Sequence, residues 1–134
     1  MRENLFRGKG DKRYNDGEWY FGVPIECYDG DWQICTDCIR KTVIPETVGQ
    51  CTELPDKNGR PIFEGDFVRD VETFYVGKVY FDTDTARFVI EFASFIADFS
   101  NYNNGNVEVI GNIYDNTELI GGETNERRRN LEQM

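Results

Sequence analysis

Leu54-Pro55-Asp56-Lys57-Asn58-Gly59-Arg60-Pro61-Ile62-Phe63-Glu64-Gly65-Asp66-Phe67-Val68 is the stretch that decides the fold. Asn58-Gly59 suits the positive φ angles of a tight type I′ turn, and Gly65 invites a second bend a few residues on. Asp56 and Asp66 stand where an aspartate accepts backbone N–H bonds in a turn. Two reversals this close together leave only short extended segments between them, so the chain is predicted to be built from β-strands.

The segments on either side agree. Downstream, residues 67–69, 76–81 and 87–92 are runs of aromatic and β-branched residues, the last two joined by Asp82-Thr83-Asp84-Thr85 as a hairpin loop. Asn103-Asn104-Gly105 introduces a final strand at 107–110. Residues 112–120 are too short and polar for a long strand, and a single 3₁₀ turn with a short closing pairing is expected there. After Gly121-Gly122 the end of the chain has few apolar residues, which predicts a disordered or short helical tail over 123–134. About five short strands with tight turns between them form the pattern of a small, strongly bent barrel rather than a sandwich.

Upstream, residues 47–54 can extend after Pro45 keeps Ile44 out of helical space. Following the turn signal Asn15-Asp16-Gly17, the alternation Trp19, Phe21, Val23, Ile25, Cys27 places five apolar residues on one face of an extended segment. Pro24 on the opposite face suggests an edge strand. Asp29-Gly30-Asp31 turns the chain into residues 32–38, giving a hairpin that displays both tryptophans. Strand parity assigns Trp19 and Phe21 to the core. It leaves Tyr20 and Tyr28 on the outer face as the candidate interaction surface.

Composition bounds the chemistry. The chain has 134 residues, 39% of them hydrophobic, enough for one ordinary domain or two very small ones. It has no His, which removes the commonest general base, the commonest zinc nitrogen donor and any Ser–His or Cys–His nucleophile pair. Its apolar runs fall far short of the roughly 20 residues of a membrane span, and its first residues do not read as a secretory signal.

The net charge of −10 disfavours a general affinity for phosphate backbones. The charge is unevenly placed, with Arg2, Arg7, Lys9, Lys12 and Arg13 near one end and Arg127, Arg128 and Arg129 near the other. Such ends are either arms for nucleic acid or an acidic partner, or solvated termini. Three arginines lack the density of a basic patch, so the second reading is preferred.

Cys35-Thr36-Asp37-Cys38 is a C-x-x-C pair flanked by Cys27 and Cys51, and four thiolates could in principle close a tetrahedral zinc site. The spacing argues against it, because a zinc ribbon has two such pairs some 15–20 residues apart and here the outer cysteines are single. Small buried or half-buried thiols are expected at all four positions, with no metal or other cofactor. Asp82-Thr83-Asp84 opens like a calcium loop but lacks that loop's glycine and closing glutamate. Glu64-Gly65-Asp66 could pair two acids for acid–base work, and the turn role is the better account. No catalytic constellation is found, and the chain is not expected to be an enzyme.

The run Thr47-Val48-Gly49-Gln50-Cys51-Thr52-Glu53-Leu54-Pro55 into Asp56-Lys57-Asn58-Gly59 and Glu64-Gly65-Asp66 resembles the signature of the YopX-like phage and prophage proteins. So does the closing segment Glu108-Val109-Ile110-Gly111-Asn112-Ile113-Tyr114-Asp115-Asn116-Thr117-Glu118-Leu119, and Phe6-Arg7-Gly8-Lys9 looks like the family's opening strand. Thr117 stands where a proline is common and Glu53 where a glycine is common, the latter bearing on the turn before Pro55. The resemblance implies a mainly β fold with a small SH3-type β-barrel over 47–122, an N-terminal β segment over 1–46 containing the hairpin, and a polar tail over 123–134.

It implies no activity, because the family has no catalytic motif to carry over. The expected function is that of a phage or prophage accessory protein in the cytoplasm of the bacterial host, acting as a non-enzymatic protein-interaction module. Its expected partner is another protein, with self-association as a further expectation and no membrane. The alternative is a nucleic-acid-directed protein, binding through the basic termini or competing as an acidic surface for a host nucleic-acid-binding protein. A metal-dependent enzyme would rest only on the four cysteines and scattered acids.

Overall fold

Short strands and side-chain-braced turns account for nearly every residue that the computed structural model describes, residues 6–102 and 105–116. The sheets are antiparallel throughout, as the sequence predicts. The chain divides into two compact units, Met1–Glu53 and Leu54–Met134. No helix among the described residues is long and apolar enough to cross a membrane.

The first unit contains β1 (Phe6–Lys9), β2 (Trp19–Glu26), β3 (Trp32–Thr36), β4 (Ile39–Val43) and β5 (Gly49–Pro55), whose last two residues pass into the second unit. The strand order is β4-β3-β2-β1-β5. The expected β2–β3 hairpin is present, closed by Cys27 N–H on the Asp31 carbonyl at 2.7 Å. β2 changes partner along its length: Trp19 to Gly22 pair with β1, and Val23 to Glu26 with β3. At the change-over a Cβ on Gly22 would lie 2.1 Å from the Cys35 carbonyl oxygen, so only glycine fits. Pro24 lies in the half that pairs only with β3, and its missing N–H costs no bond to β1.

Two expectations for this unit are corrected. Residues 37 and 38 do not extend β3; Asp37 and Cys38 form a two-residue turn into β4, in which Asp37 takes a φ of +52°. No glycine marks that turn, and the sequence reading therefore ran through it. The apolar face of β2 is also not the packed one, since Phe21 and Val23 are exposed at 39% and 55%. Among the described residues of this unit the buried apolar side chains are Ile34 and Val43, beside the polar Arg7, Asp11 and Thr47. A Cβ on Gly8 would already touch Val43 at 3.0 Å. Trp19 is half-buried, with the Arg7 guanidinium 4.5 Å from its ring centroid.

The second unit contains β6 (Pro61–Phe63), β7 (Asp66–Asp70), β8 (Val76–Asp82), β9 (Arg87–Glu91), β10 (Ile96–Asp98) and β11 (Val107–Asn112). Its five-stranded sheet runs β10-β9-β8-β7-β11. Ile62, Val68, Val79, Ile90, Phe92, Phe99, Val107 and Val109 form the buried core. The predicted SH3-type barrel is not closed: among the described residues β10 pairs only with β9, and β11 pairs with β7. The far side of β11 is occupied by the turn after β5, where Lys57 N–H donates to the Val107 carbonyl at 2.8 Å and Val109 N–H to Asp56 Oδ2 at 3.0 Å. A turn has taken the edge that a closing strand would need.

Asp56 holds this arrangement. Its carboxylate is 4% exposed and accepts N–H bonds from Asn58 and Arg60 on Oδ1 as well as from Val109 on Oδ2. The loop it braces differs from the expected type I′ turn, because only Gly59 has a positive φ (+79°) while Asp56 N–H donates to the Arg60 carbonyl. This is a three-residue loop with glycine in the left-handed position. Asp66, 1% exposed, accepts the Phe63 N–H on Oδ2 at 2.8 Å across Glu64-Gly65, as the turn reading of that triplet expects. The Asp82 loop is a hairpin with its carboxylate turned onto Asp84 N–H and the Thr85 hydroxyl. Residues 112–116 form an Asx-type turn rather than a 3₁₀ turn, with Asn112 Oδ1 accepting from Tyr114 and Asp115 N–H. The expected tail over 123–134 lies outside the described residues.

Burial pushes the Asp56 carboxyl up, and the N–H bonds from Val109, Arg60 and Asn58 outweigh it and hold the acid below its ordinary 3.8. Asp56→Ala leaves three N–H groups without their charged acceptor and should cost about 3 kcal/mol, read as a lowered urea midpoint. The contribution of Asp56 is present in full above about pH 3.8 and is lost as the pH falls below that value toward the depressed folded-state pKa, so the variant should also show a flatter acid limb. Glu53, the position flagged in the sequence, has a φ of +68°. Glu53→Gly should therefore raise stability by roughly 0.5–1 kcal/mol, seen as a higher Tm.

Candidate functional site

Among the described residues of the second unit the exposed large apolar ones, Val71, Phe74, Tyr75, Phe95 and Ile96, lie in or beside the β7–β8 and β9–β10 turns. Phe92 N–H donates to the Phe95 carbonyl at 2.9 Å, closing a tight turn over Ala93-Ser94 and starting β10. Phe95 stacks on Phe92 at 4.9 Å between centroids yet remains 45% exposed, and Ile96 is 57% exposed. Asp98 ends the strand by accepting from Ser100 N–H and Oγ, which fixes the 3₁₀ turn Phe99–Tyr102, and it pairs with Arg87 at 2.6 Å. The Ser100 bonds and Arg87 hold its carboxyl below the usual range.

The β7–β8 turn forms the opposite wall. Asp70 Oδ1 accepts N–H bonds from Glu72 and Thr73, and Phe74 N–H returns to the Asp70 carbonyl. The turn leaves Phe74 at a φ of +62° with its ring 68% exposed, beside exposed Tyr75 and Val71. Between the walls lies an open groove of about 500 Å³, lined by Val71, Phe95 and Ile96 together with Asp70, Glu72 and Asp98. Tyr102 closes one side, its hydroxyl pushed up by burial and by the nearby Asp70 carboxylate.

The residues nominated from the sequence lie in the first unit and are not brought together. Tyr20 is half-buried opposite Gly8, its hydroxyl donating to Asp16 Oδ1 and the Lys41 ammonium 5.6 Å from its ring centroid. The bond to Asp16, then burial, then the charges of Asp16 and Glu18 push that hydroxyl up to about 12. Tyr28 is fully exposed in the β2–β3 turn beside an open hollow lined by Ile25, Cys27 and Arg40. Extended strand from Tyr20 to Glu26, roughly 20 Å, and the start of the turn separate the two.

No disulfide joins the cysteines; Cys27, Cys35 and Cys51 are half-buried as expected, whereas Cys38 is exposed because it lies in the β3–β4 turn. Glu53 N–H donates to Cys51 Sγ at 3.3 Å. Among the described residues no group of three or more His, Cys, Asp or Glu side chains could hold a metal ion. The buried acids Asp56 and Asp66 accept backbone N–H bonds, and buried Asp11 pairs with Arg13. Arg2 and Arg127 to Arg129 lie outside the described residues.

Val71, Glu72 and Phe95 fall in turns and Ile96–Asp98 in a strand of three residues, too short for periodicity to show either. The one available signal was Phe74-Tyr75, an aromatic pair placed after Asp70-Val71-Glu72-Thr73 and ahead of the strand pattern. A strained, exposed aromatic is not retained for stability. Phe74→Gly should therefore raise the free energy of unfolding by about 1 kcal/mol in urea titration, despite the loss of the largest side chain in the turn.

No curated protein matches the sequence significantly. The family described as YopX protein matches residues 10–121, which span both units and include the Asp56 turn, the Asp66 turn and the groove. The chain belongs to the YopX family.

Proposed function

We propose that this chain is a phage-encoded accessory protein of the bacterial cytoplasm that acts without catalysis, as a protein-interaction module. The observation that carries the reading is the open groove of the second unit, which Val71, Phe95 and Ile96 line together as exposed apolar residues. Single exposed apolar residues are ordinary, whereas contiguous ones around a concave surface mark a contact site. Family membership supports the phage association. The non-catalytic reading is supported by the use of the buried acids: Asp56 and Asp66 are engaged by backbone N–H groups that hold turns, and Asp98 by Ser100 and Arg87.

Affinity capture from lysate of phage-infected cells, with nuclease present, tests the reading when the wild-type chain and Phe95→Ser/Ile96→Ser are run in parallel. A protein retained by the wild type and depleted about tenfold or more by the double variant is the expected result, since truncating two exposed contact residues removes a few kcal/mol of binding. Capture of nucleic acid alone, or of no protein, overturns it, and identical capture by both chains overturns the groove as its site.

A further inference from the structure

We infer that the groove takes an extended segment of another protein, bearing Lys or Arg beside apolar side chains, which adds as a strand to the free edge of β10. The inference rests on the interaction-module reading and names the partner's chemistry at that same surface. Backbone geometry supplies the first argument. Phe92 and Phe95 close the β9–β10 turn as a hydrogen-bonded pair, so in antiparallel alternation Ala97 directs both its groups at Ile90. The N–H and C=O of Ile96 and the N–H of Asp98 then point off the sheet, along the groove. A strand laid there gains main-chain hydrogen bonds, and alternate side chains enter or leave the groove, which is the usual logic of strand addition.

The side chains choose the occupant. Val71, Phe95 and Ile96 offer apolar contact, while Asp70, Glu72 and Asp98 line the groove with no Lys or Arg among the lining residues. Arg87 already compensates Asp98, so Asp70 and Glu72 carry the field that selects a cation. A second copy of this chain is disfavoured at this surface, because it would bring the same three acids and a further net charge of −10 against them. A nucleic-acid backbone is disfavoured by the same sign of charge.

The test uses the full-length ¹⁵N-labelled chain and the capped peptide Lys-Val-Lys-Val-Lys-Val-Lys, with the Glu-for-Lys peptide and an alternately N-methylated peptide as controls. Saturable amide shifts confined to Ile96, Ala97, Asp98, Val71 and Glu72 are expected. N-methylation of the residues that face β10, or Glu72→Lys in the protein, should weaken binding about tenfold or more, and added salt should weaken it further. Both Glu72 and Ile96 are exposed, so Glu72→Lys and Ile96→Ser should retain the wild-type amide spectrum elsewhere.

Shifts centred elsewhere, equal binding of the Glu peptide, or indifference to N-methylation overturn the inference. So does self-association that Ile96→Ser abolishes, which would make the occupant a second copy. If a lysate partner binds the wild type and both variants alike, the groove is wrong while an interaction module elsewhere on the chain survives. If no protein partner is captured at all, the module reading fails first.

Discussion

The second unit depends on one buried carboxylate. Taking Asp56 out of water costs several kcal/mol for the ion alone. Bonds from the N–H groups of Asn58, Arg60 and Val109, at about 1.5–3 kcal/mol each for a charged acceptor, offset that cost. Two of those donors belong to the loop that Asp56 itself opens, and the third belongs to β11, 53 residues away. One side chain therefore sets a local turn and a distant strand register together. It also decides where the sheet stops, because the loop it braces occupies the side of β11 on which a closing strand would lie. The open side at β10 follows from that choice.

The strand content and most turns were legible because their chemistry is local. Asp56-Lys57-Asn58-Gly59, Glu64-Gly65-Asp66 and Asp82-Thr83-Asp84 each combine an acceptor side chain with nearby N–H groups, and each is a turn in the structure. The errors have equally local causes. Asn58 does not take a positive φ, because the Asp56 N–H to Arg60 carbonyl bond fixes a longer loop. The turn at Asp37-Cys38 uses an aspartate where glycine would have announced it, so β4 was invisible. Barrel closure is a statement about residues far apart in sequence, and no short pattern carries it.

Strand parity explains the remaining miss. Alternation along β2 correctly separates two faces, and it cannot say which one is covered. Gly8 leaves room for Val43 on one face, where Ile34 and Val43 are buried, while Phe21 and Val23 on the other are exposed. The groove in the second unit was hidden for a different reason: its walls are the β7–β8 turn on one side and, on the other, the three-residue β10 with the 3₁₀ turn after it. Among the described residues Phe74, Glu53, Asp37 and Ala86 are the non-glycine residues with positive φ, and three of them sit in hairpin turns. Of these, Phe74 alone carries an aromatic ring, and that ring is exposed.

Amide hydrogen exchange resolved residue by residue tests this account most directly. A rigid unit pinned by Asp56 with an open edge at β10 predicts that the Val109 and Arg60 amides exchange only through global unfolding. The Ile96 amide should exchange orders of magnitude faster. Equal protection of Ile96 and Val109 would mean that the sheet is closed and the edge unavailable. Rapid exchange at Val109 would remove Asp56 from the centre of the fold.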